Sequence, residues 1–287
     1  MTMGFLGEHN KIRVTAIIAA GGSGSRLGMS DGKQLLQLAG KSVLAWSVDA
    51  IATADSIERL IIACDPQRVH EYEKTILRET KTSKPLSFVA GGGSRQESVG
   101  NALEHVSSDE PYVLVHDGAR PLVAARDVEK ACQTLSLGAQ KHNGQKEIVG
   151  VVFAQPSVDT IKQVDGAGLV IKTLKRSELW TIQTPQIFDT QVLKTAYNAA
   201  EATGFKGTDD ASLVEHLGKP IQLLETSRDN IKITLPEDVE LAKHLLGLKK
   251  DAVDMNQVVI PDEEPDTLPA SDDDEISKEG NEEEPCA

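Results

Sequence analysis

The sequence is short of aromatic side chains, of cysteine and of long apolar runs, and each shortage closes off a class of protein. Aromatics make up 3% of the 287 residues, so any core has to be assembled from Val, Ile, Leu and Ala. Cys64, Cys132 and Cys286 occur singly, with no CxxC pair. That argues against a structural zinc site or a disulfide framework and favours a reducing compartment. No apolar run approaches the roughly 20 residues that span a bilayer. The opening MTMGFLGEHNK also lacks a basic stretch followed by an apolar one, so the expectation is a cytoplasmic protein with no membrane partner. There is no basic stripe either, and nucleic acid is not an expected partner.

What is present begins with the charge. The formal net charge is −14, but residues 251–287 alone hold 14 Asp and Glu against one Lys, a net of −13. The remaining 250 residues carry 30 acids and 29 bases and are close to neutral. The tail, with its DDDE and EEE runs, has too little apolar surface to offset its ordering entropy and is expected to be disordered. The organisation read from the sequence is therefore an N-terminal extension (1–12), a folded domain (13–250) and an acidic tail (251–287).

Within the domain, short β-branched runs alternate with amphipathic stretches, the pattern of a mainly parallel sheet with helices on both faces. Strands are expected at 14–20, 59–64, 86–90, 112–116, 148–154, 221–225 and 231–234. Helices are expected at 42–53, 67–80, 95–106, 127–137, 189–203, 209–217 and 236–247. Residues 156–176 differ: they alternate polar and apolar around Asp165-Gly166-Ala167-Gly168, which predicts a projecting β-hairpin arm. A lone hairpin is marginal in water, so a partner subunit is the simplest surface for it.

The first strand runs into Ala20-Gly21-Gly22-Ser23-Gly24-Ser25-Arg26-Leu27-Gly28. Glycines packed at a strand's end let the backbone turn its N–H groups on a phosphate. A Walker A loop would end in Gly-Lys-Ser/Thr, and a dinucleotide fingerprint would place Gly at position 27 and an acid about 20 residues on. Neither fits. A glycine-rich turn is weak evidence alone, but Arg26 and Lys33 would set two cations at its mouth, suited to a leaving pyrophosphate.

This stretch is similar to the A-(A/G)-G-x-G-x-R-x-G…P-K-Q signature of nucleoside-triphosphate transferases that activate sugar or polyol phosphates. Further blocks narrow the resemblance. Gly91-Gly92-Gly93-Ser94-Arg95-Gln96-Glu97-Ser98-Val99 looks like GGxxRxxSV, and Val115-His116-Asp117-Gly118-Ala119-Arg120-Pro121 looks like VHDAARP. Leu179-Trp180 with Gln183-Thr184-Pro185-Gln186, Thr208-Asp209-Asp210-Ala211-Ser212 and Asn230-Ile231-Lys232-Ile233-Thr234 resemble LWxxQTPQ, TDDAS and NIKIT. Together, over about residues 13–247, they resemble the 2-C-methyl-D-erythritol 4-phosphate cytidylyltransferase family. Two positions depart from its pattern: Gly21 stands for an Ala, and Gly32 for the Pro before the lysine, which loosens the loop carrying Lys33.

The resemblance implies a Rossmann-like nucleotidyltransferase domain that uses CTP and a polyol phosphate. It implies that Arg26, Lys33, Arg176 and Lys232 act in catalysis. Ala20, Gly21, Gly22, Gly24, Gly92, Gly93 and Ser98 would form the nucleotide pocket. Asp117, Arg120, Thr160, Thr208 and Asp209 would bind the substrate, with Asp117 also meeting Mg²⁺ or another divalent cation. It further implies a homodimer in which the arm delivers Thr160 and Arg176 to the partner's site. No general base is needed, because a phosphate monoester is already ionised; His116 is therefore expected to be structural, and Trp180 to pack beneath the site. A ribitol 5-phosphate cytidylyltransferase and a catalytically silent paralogue share much of this pattern.

Overall fold

The computed structural model describes residues 12–21, 33–138 and 148–250. The first strand, β1 (Val14–Ala19), is built from the apolar run read as a buried strand. After a 3-10 turn at Lys33–Leu35 come the short strands β2 (Gln37–Leu38) and β3 (Lys41–Ser42). Helix α1 (Val43–Ala52) starts where the Ser42 hydroxyl accepts the Ala45 amide at 3.3 Å, satisfying one of the first-turn donors that a helix leaves open. Strand β4 (Ile57–Cys64), helix α2 (Val69–Glu79) and strand β5 (Leu86–Ala90) follow. Ser94 then caps α3 (Arg95–Leu103) by accepting the Glu97 amide at 3.1 Å.

Strand β6 (Tyr112–Asp117), helix α4 (Ala125–Gly138) and strand β7 (Gly150–Pro156) continue the alternation. The arm consists of β8 (Lys162–Val164) and β9 (Val170–Thr173), and the chain returns through β10 (Trp180–Asp189). Helix α5 (Thr190–Thr203) ends on Gly204, whose φ of 70° is the left-handed conformation glycine adopts without cost. Helix α6 (Asp210–His216), strand β11 (Ile221–Glu225) and helix α7 (Pro236–Lys250) complete the domain.

The main sheet has the order β11-β7-β10-β6-β1-β4-β5. β1 pairs in parallel with β4 and β6, and β11 with β7; β10 alone runs against its neighbours β6 and β7. This is the expected mainly parallel sheet, with one reversed strand that the sequence did not announce. Successive side chains face opposite ways along a strand, and the two cores follow from that. Ile18 and Ile62 join Leu44, Ile51, Tyr72 and Leu135 on one face. Ile17 and Ile61 join Val99, Phe188, Leu193 and Val214 on the other. Each fully buried Val, Leu or Ile contributes about 1.5–3 kcal/mol, so aliphatic packing is enough to carry this aromatic-poor fold.

A third cluster positions the site: Leu38 and Val43 pack with Leu122, Ile233, Ala242 and Leu246, holding α7 against the β2–β3 hairpin. The strand expected at 231–234 is absent. Ile233 instead donates its amide to the Ala119 carbonyl at 2.9 Å and is fully buried. One-sided burial of Ile231 and Ile233 produces the alternating pattern without a ladder partner. Trp180 is also not beneath the site; it opens β10 opposite Pro156 and is 37% exposed. The N-terminal extension up to residue 11 and the acidic tail lie outside the described residues, as does most of the phosphate loop.

Candidate active site

The site gathers at the C-terminal ends of the parallel strands, where open α/β sheets receive ligands. Asp117 ends β6 beside Ala19 of β1, and its side chain is largely buried. Its Oδ1 accepts from Arg95 Nε at 3.0 Å and its Oδ2 from Lys232 Nζ at 2.7 Å, while Arg120 Nε stands 3.8 Å from Oδ2. Burial alone would raise the Asp117 pKa; the charges of Arg95, Lys232 and Arg120 overcome it and hold the carboxyl well below its usual range. Asp117 is thus an anion at any working pH, and one carboxylate is shared among three cations.

Two of these cations, Arg120 and Lys232, come from loop segments. Arg120 follows β6, donates from Nη1 to the Asn230 carbonyl at 2.7 Å, and has a buried Nε without a hydrogen-bond partner. Asn230 in turn donates from Nδ2 to Gln183 Oε1 and to the Thr184 carbonyl, both at 2.9 Å. Those bonds lock the segment after β11 onto β10 and set Lys232 over Asp117. Lys232 keeps 36% of its side chain exposed, which leaves its ammonium open to a ligand.

A pocket of ≈ 370 Å³ lies in front of these groups, lined among others by Asp117, Arg120, Gln183, Thr208, Asp209 and Lys232. Asp209 lines it and also caps α6, accepting from Ser212 N at 3.0 Å and from Gln186 Nε2 at 2.7 Å. The sequence-derived substrate residues Asp117, Arg120, Thr208 and Asp209 therefore meet here, together with Lys232. Thr160 and Arg176 do not line this pocket; Arg176 donates to the Val158 carbonyl at 3.0 Å at the exposed root of the arm.

The glycine edge lies next to it. Ser98 Oγ accepts from Gly92 N at 3.0 Å and donates to the Ser94 carbonyl at 2.8 Å. A Cβ on Gly92 would fall 2.4 Å from Glu97 Cβ, one on Gly91 2.8 Å from Ser98 Oγ, and one on Gly21 3.3 Å from that same oxygen. Gly21, Gly92 and Ser98 are thereby brought together, and Ser98 acts on the loop's shape. Gly93 N donates to Glu97 Oε2 at 2.8 Å. Ala20 is fully buried, with its amide on the Ala63 carbonyl at 2.7 Å, so it can serve a nucleotide only through its backbone. Gly22, Gly24 and Arg26 lie outside the described residues, as does the side chain of Lys33 in the 3-10 turn.

Sequence reasoning gave no role to Arg95, Asp210, Thr184, Gln186 or Asn230, although all fall inside the quoted blocks. The signal for them is the demand of a buried charge for a partner, which appears only once distant segments are brought together. Among the described residues no group of three His, Cys, Asp or Glu side chains could hold a metal unaided. Asp117 fits a lesser role: each of its oxygens has one short charged N–H partner and spare lone-pair capacity. Mg²⁺ commonly binds through one carboxylate with substrate phosphates supplying the rest.

A doubly wound sheet with one reversed strand, a glycine edge and a charged pocket at the strand ends defines a nucleotidyltransferase-type α/β domain. A family model described as "IspD: 2-C-methyl-D-erythritol 4-phosphate cytidylyltransferase" matches residues 14–248. A protein of that name from Prochlorococcus marinus (strain MIT 9313) is 41% identical over 235 residues, covering 81% of this chain and 98% of that protein. The crystal structure of 4-diphosphocytidyl-2C-methyl-D-erythritol synthase from Anaerococcus prevotii superposes with a TM-score of 0.71 at 27% identity, over 83% of this chain and 97% of that one. The 2-C-methyl-D-erythritol 4-phosphate cytidylyltransferase of Thermus thermophilus does so with a TM-score of 0.63 at 30% identity, over 81% and 98%. This chain belongs to the 2-C-methyl-D-erythritol 4-phosphate cytidylyltransferase family.

Proposed function

We propose that the protein transfers CMP from CTP to 2-C-methyl-D-erythritol 4-phosphate, releasing pyrophosphate, as a step of non-mevalonate isoprenoid synthesis. The observation that carries this, given the family, is the placement of Arg120 and Lys232 beside one and the same Asp117 oxygen in a pocket sized for a small phosphorylated polyol. A phosphate-monoester oxygen of the acceptor attacks the α-phosphorus of CTP; the new P–O bond forms as the bond to the β-phosphate oxygen breaks. The acceptor needs no base, so positioning and electrostatics supply the rate. Arg120 and Lys232 hold the acceptor phosphate, Thr208 and Asp209 face the polyol, and the edge at Gly21, Gly92, Gly93 and Ser98 receives the nucleotide. Arg26 and Lys33 offset charge on the leaving pyrophosphate. Asp117 would hold Mg²⁺, which would supply further neutralisation of phosphate charge.

The same reading makes the protein a homodimer. Val164, Leu169, Val170 and Ile171 on the arm are 49–68% exposed, an apolar surface that a two-stranded hairpin cannot cover by itself. Packed on a partner, the arm would carry Thr160 and Arg176 to the partner's pocket. A cytoplasmic setting suits the buried free thiols Cys64 and Cys132. The test is a pyrophosphate-release assay with CTP, Mg²⁺ and either 2-C-methyl-D-erythritol 4-phosphate or ribitol 5-phosphate. Turnover with the methylerythritol compound at a higher kcat/KM than with ribitol phosphate is expected. The reverse preference, or none with either, overturns the reading.

A further inference from the structure

Arg95 has no task in the reaction as described, yet it is bonded more elaborately than the cations that do. It opens α3 directly after the glycine edge. Its Nε donates to Asp117 Oδ1 at 3.0 Å and its Nη2 to Asp210 Oδ2 at 2.8 Å. Asp210 is fully buried, and its other oxygen accepts from Tyr197 Oη at 2.6 Å. A continuous chain of polar contacts therefore runs from Tyr197 on α5 through Asp210 on α6 and Arg95 on α3 to Asp117 on β6, and ends on Lys232.

Charge makes this arrangement informative. Arg95, Arg120 and Lys232 together face two carboxylates, Asp117 and Asp210. Without Arg95, Asp117 would be left to Arg120 and Lys232 alone, in a pocket that Asp209 and Glu215 also line. Lys232 would also become the main partner of Asp117 and be held there more tightly. Arg95 also lines the pocket, but its Nε and Nη2 are committed to Asp117 and Asp210, and breaking those bonds would strand the buried Asp210 charge, which is expensive.

We propose that Arg95 is a positioning residue: anchored by Asp210 and Tyr197, it fixes the Asp117 carboxylate and so leaves Lys232 and Arg120 free to take the acceptor phosphate. The inference rests on the proposed function, and the experiment separates the two. Wild-type turnover with CTP and 2-C-methyl-D-erythritol 4-phosphate tests the function; the variants test Arg95 only once that turnover is in hand.

Arg95→Ala would strand the Asp210 charge and endanger folding, so the informative variant is the doubly neutral Arg95→Met/Asp210→Asn, with Arg95→Lys as the conservative partner. In the double variant, KM for the polyol phosphate is expected to rise ~10- to 100-fold, the worth of one charge-assisted hydrogen bond. KM for CTP is expected to rise less than that for the acceptor, and Arg95→Lys to fall between the double variant and wild type, as graded loss of one positioning contact requires. An unchanged acceptor KM in the folded double variant overturns the proposal, and so does an equal rise for CTP. If the double variant does not fold, Tyr197→Phe takes its place. It removes only the anchor on Asp210, and an acceptor KM identical to wild type in that variant also overturns the proposal.

Discussion

The Thr184 hydroxyl accepts the Asp117 amide at 3.0 Å and lies 3.1 Å from Nδ1 of His116, whose Nε2 faces the Arg120 carbonyl, a group that can only accept. Nδ1 is therefore the acceptor, and Nε2–H donates to the Arg120 carbonyl at 3.0 Å. His116 is a neutral, buried strut between β6 and β10 with no proton to offer a substrate. Burial pushes its pKa down from 6.5 to about 4.

That shift sets a pH dependence of stability. Between pH 6.5 and about 4 the unfolded chain takes a proton at this residue that the folded chain refuses, so stability falls as pH drops through that window, by roughly 3 kcal/mol at most. Asp117, held ionised when folded, adds a loss at still lower pH. Urea unfolding from pH 8 to 4.5 is expected to show the decline, and His116→Gln to lose its share of the slope while being less stable at pH 8. Identical slopes in the two proteins would remove His116 from this role.

Replacing Arg26 or Lys33 by Ala is expected to lower kcat by about 10²–10³-fold, the loss found when one preorganised transition-state donor is deleted. Folding should be retained, since charged side chains of this kind rarely belong to a buried core. Steady-state turnover beside a thermal melt checks both halves, and near-normal kcat in either variant would refute its assignment.

The arm gives a complementation test. Arg176→Ala and Lys33→Ala are each expected to be inactive. In a mixed dimer one site would draw Lys33 from one chain and Arg176 from the other, and would be whole. Random exchange makes half the dimers mixed, each with one good site of two, so about a quarter of wild-type activity is expected to return. No recovery after verified exchange would place Arg176 in its own subunit's chemistry.

Removing residues 251–287 takes away a net charge of −13 and, on composition, no core. kcat and Tm are expected to stay at wild-type values while solubility near neutral pH falls. A Tm drop of more than a few degrees would show that the tail docks on the domain.

Strands such as β1 and β4 were legible because double-sided burial writes an unbroken apolar run into the sequence, and no loop composition imitates it. β10 was not. Pro185 interrupts its pattern, and its register against β7 shifts between Ile182 and Gln186, so it read as a motif rather than a strand. Residues 231–234 erred the other way, because Ile231 and Ile233 turn inward and Lys232 outward without any strand beside them. In the site, Asp117, Arg120 and Lys232 could be named from charge and motif. Arg95 could not be given a purpose, because its carboxylate partners lie 22 and 115 positions away. Spacing reports neighbours along a helix or strand, not a charge balance assembled from four elements.

β10 leaves the arm at Trp180 and reaches Gln186, between β6 and β7, as one strand. Its stem and the wall of the pocket are the same stretch of backbone. A single inserted residue there would turn alternate side chains to the opposite face, disturbing Gln183, Thr184 and Gln186 at once. The tip is different: at Gly166 in the turn, an added Cβ would meet nothing within 4 Å. The arm therefore has room for a side chain at its tip, while an insertion between arm and pocket would reach the site.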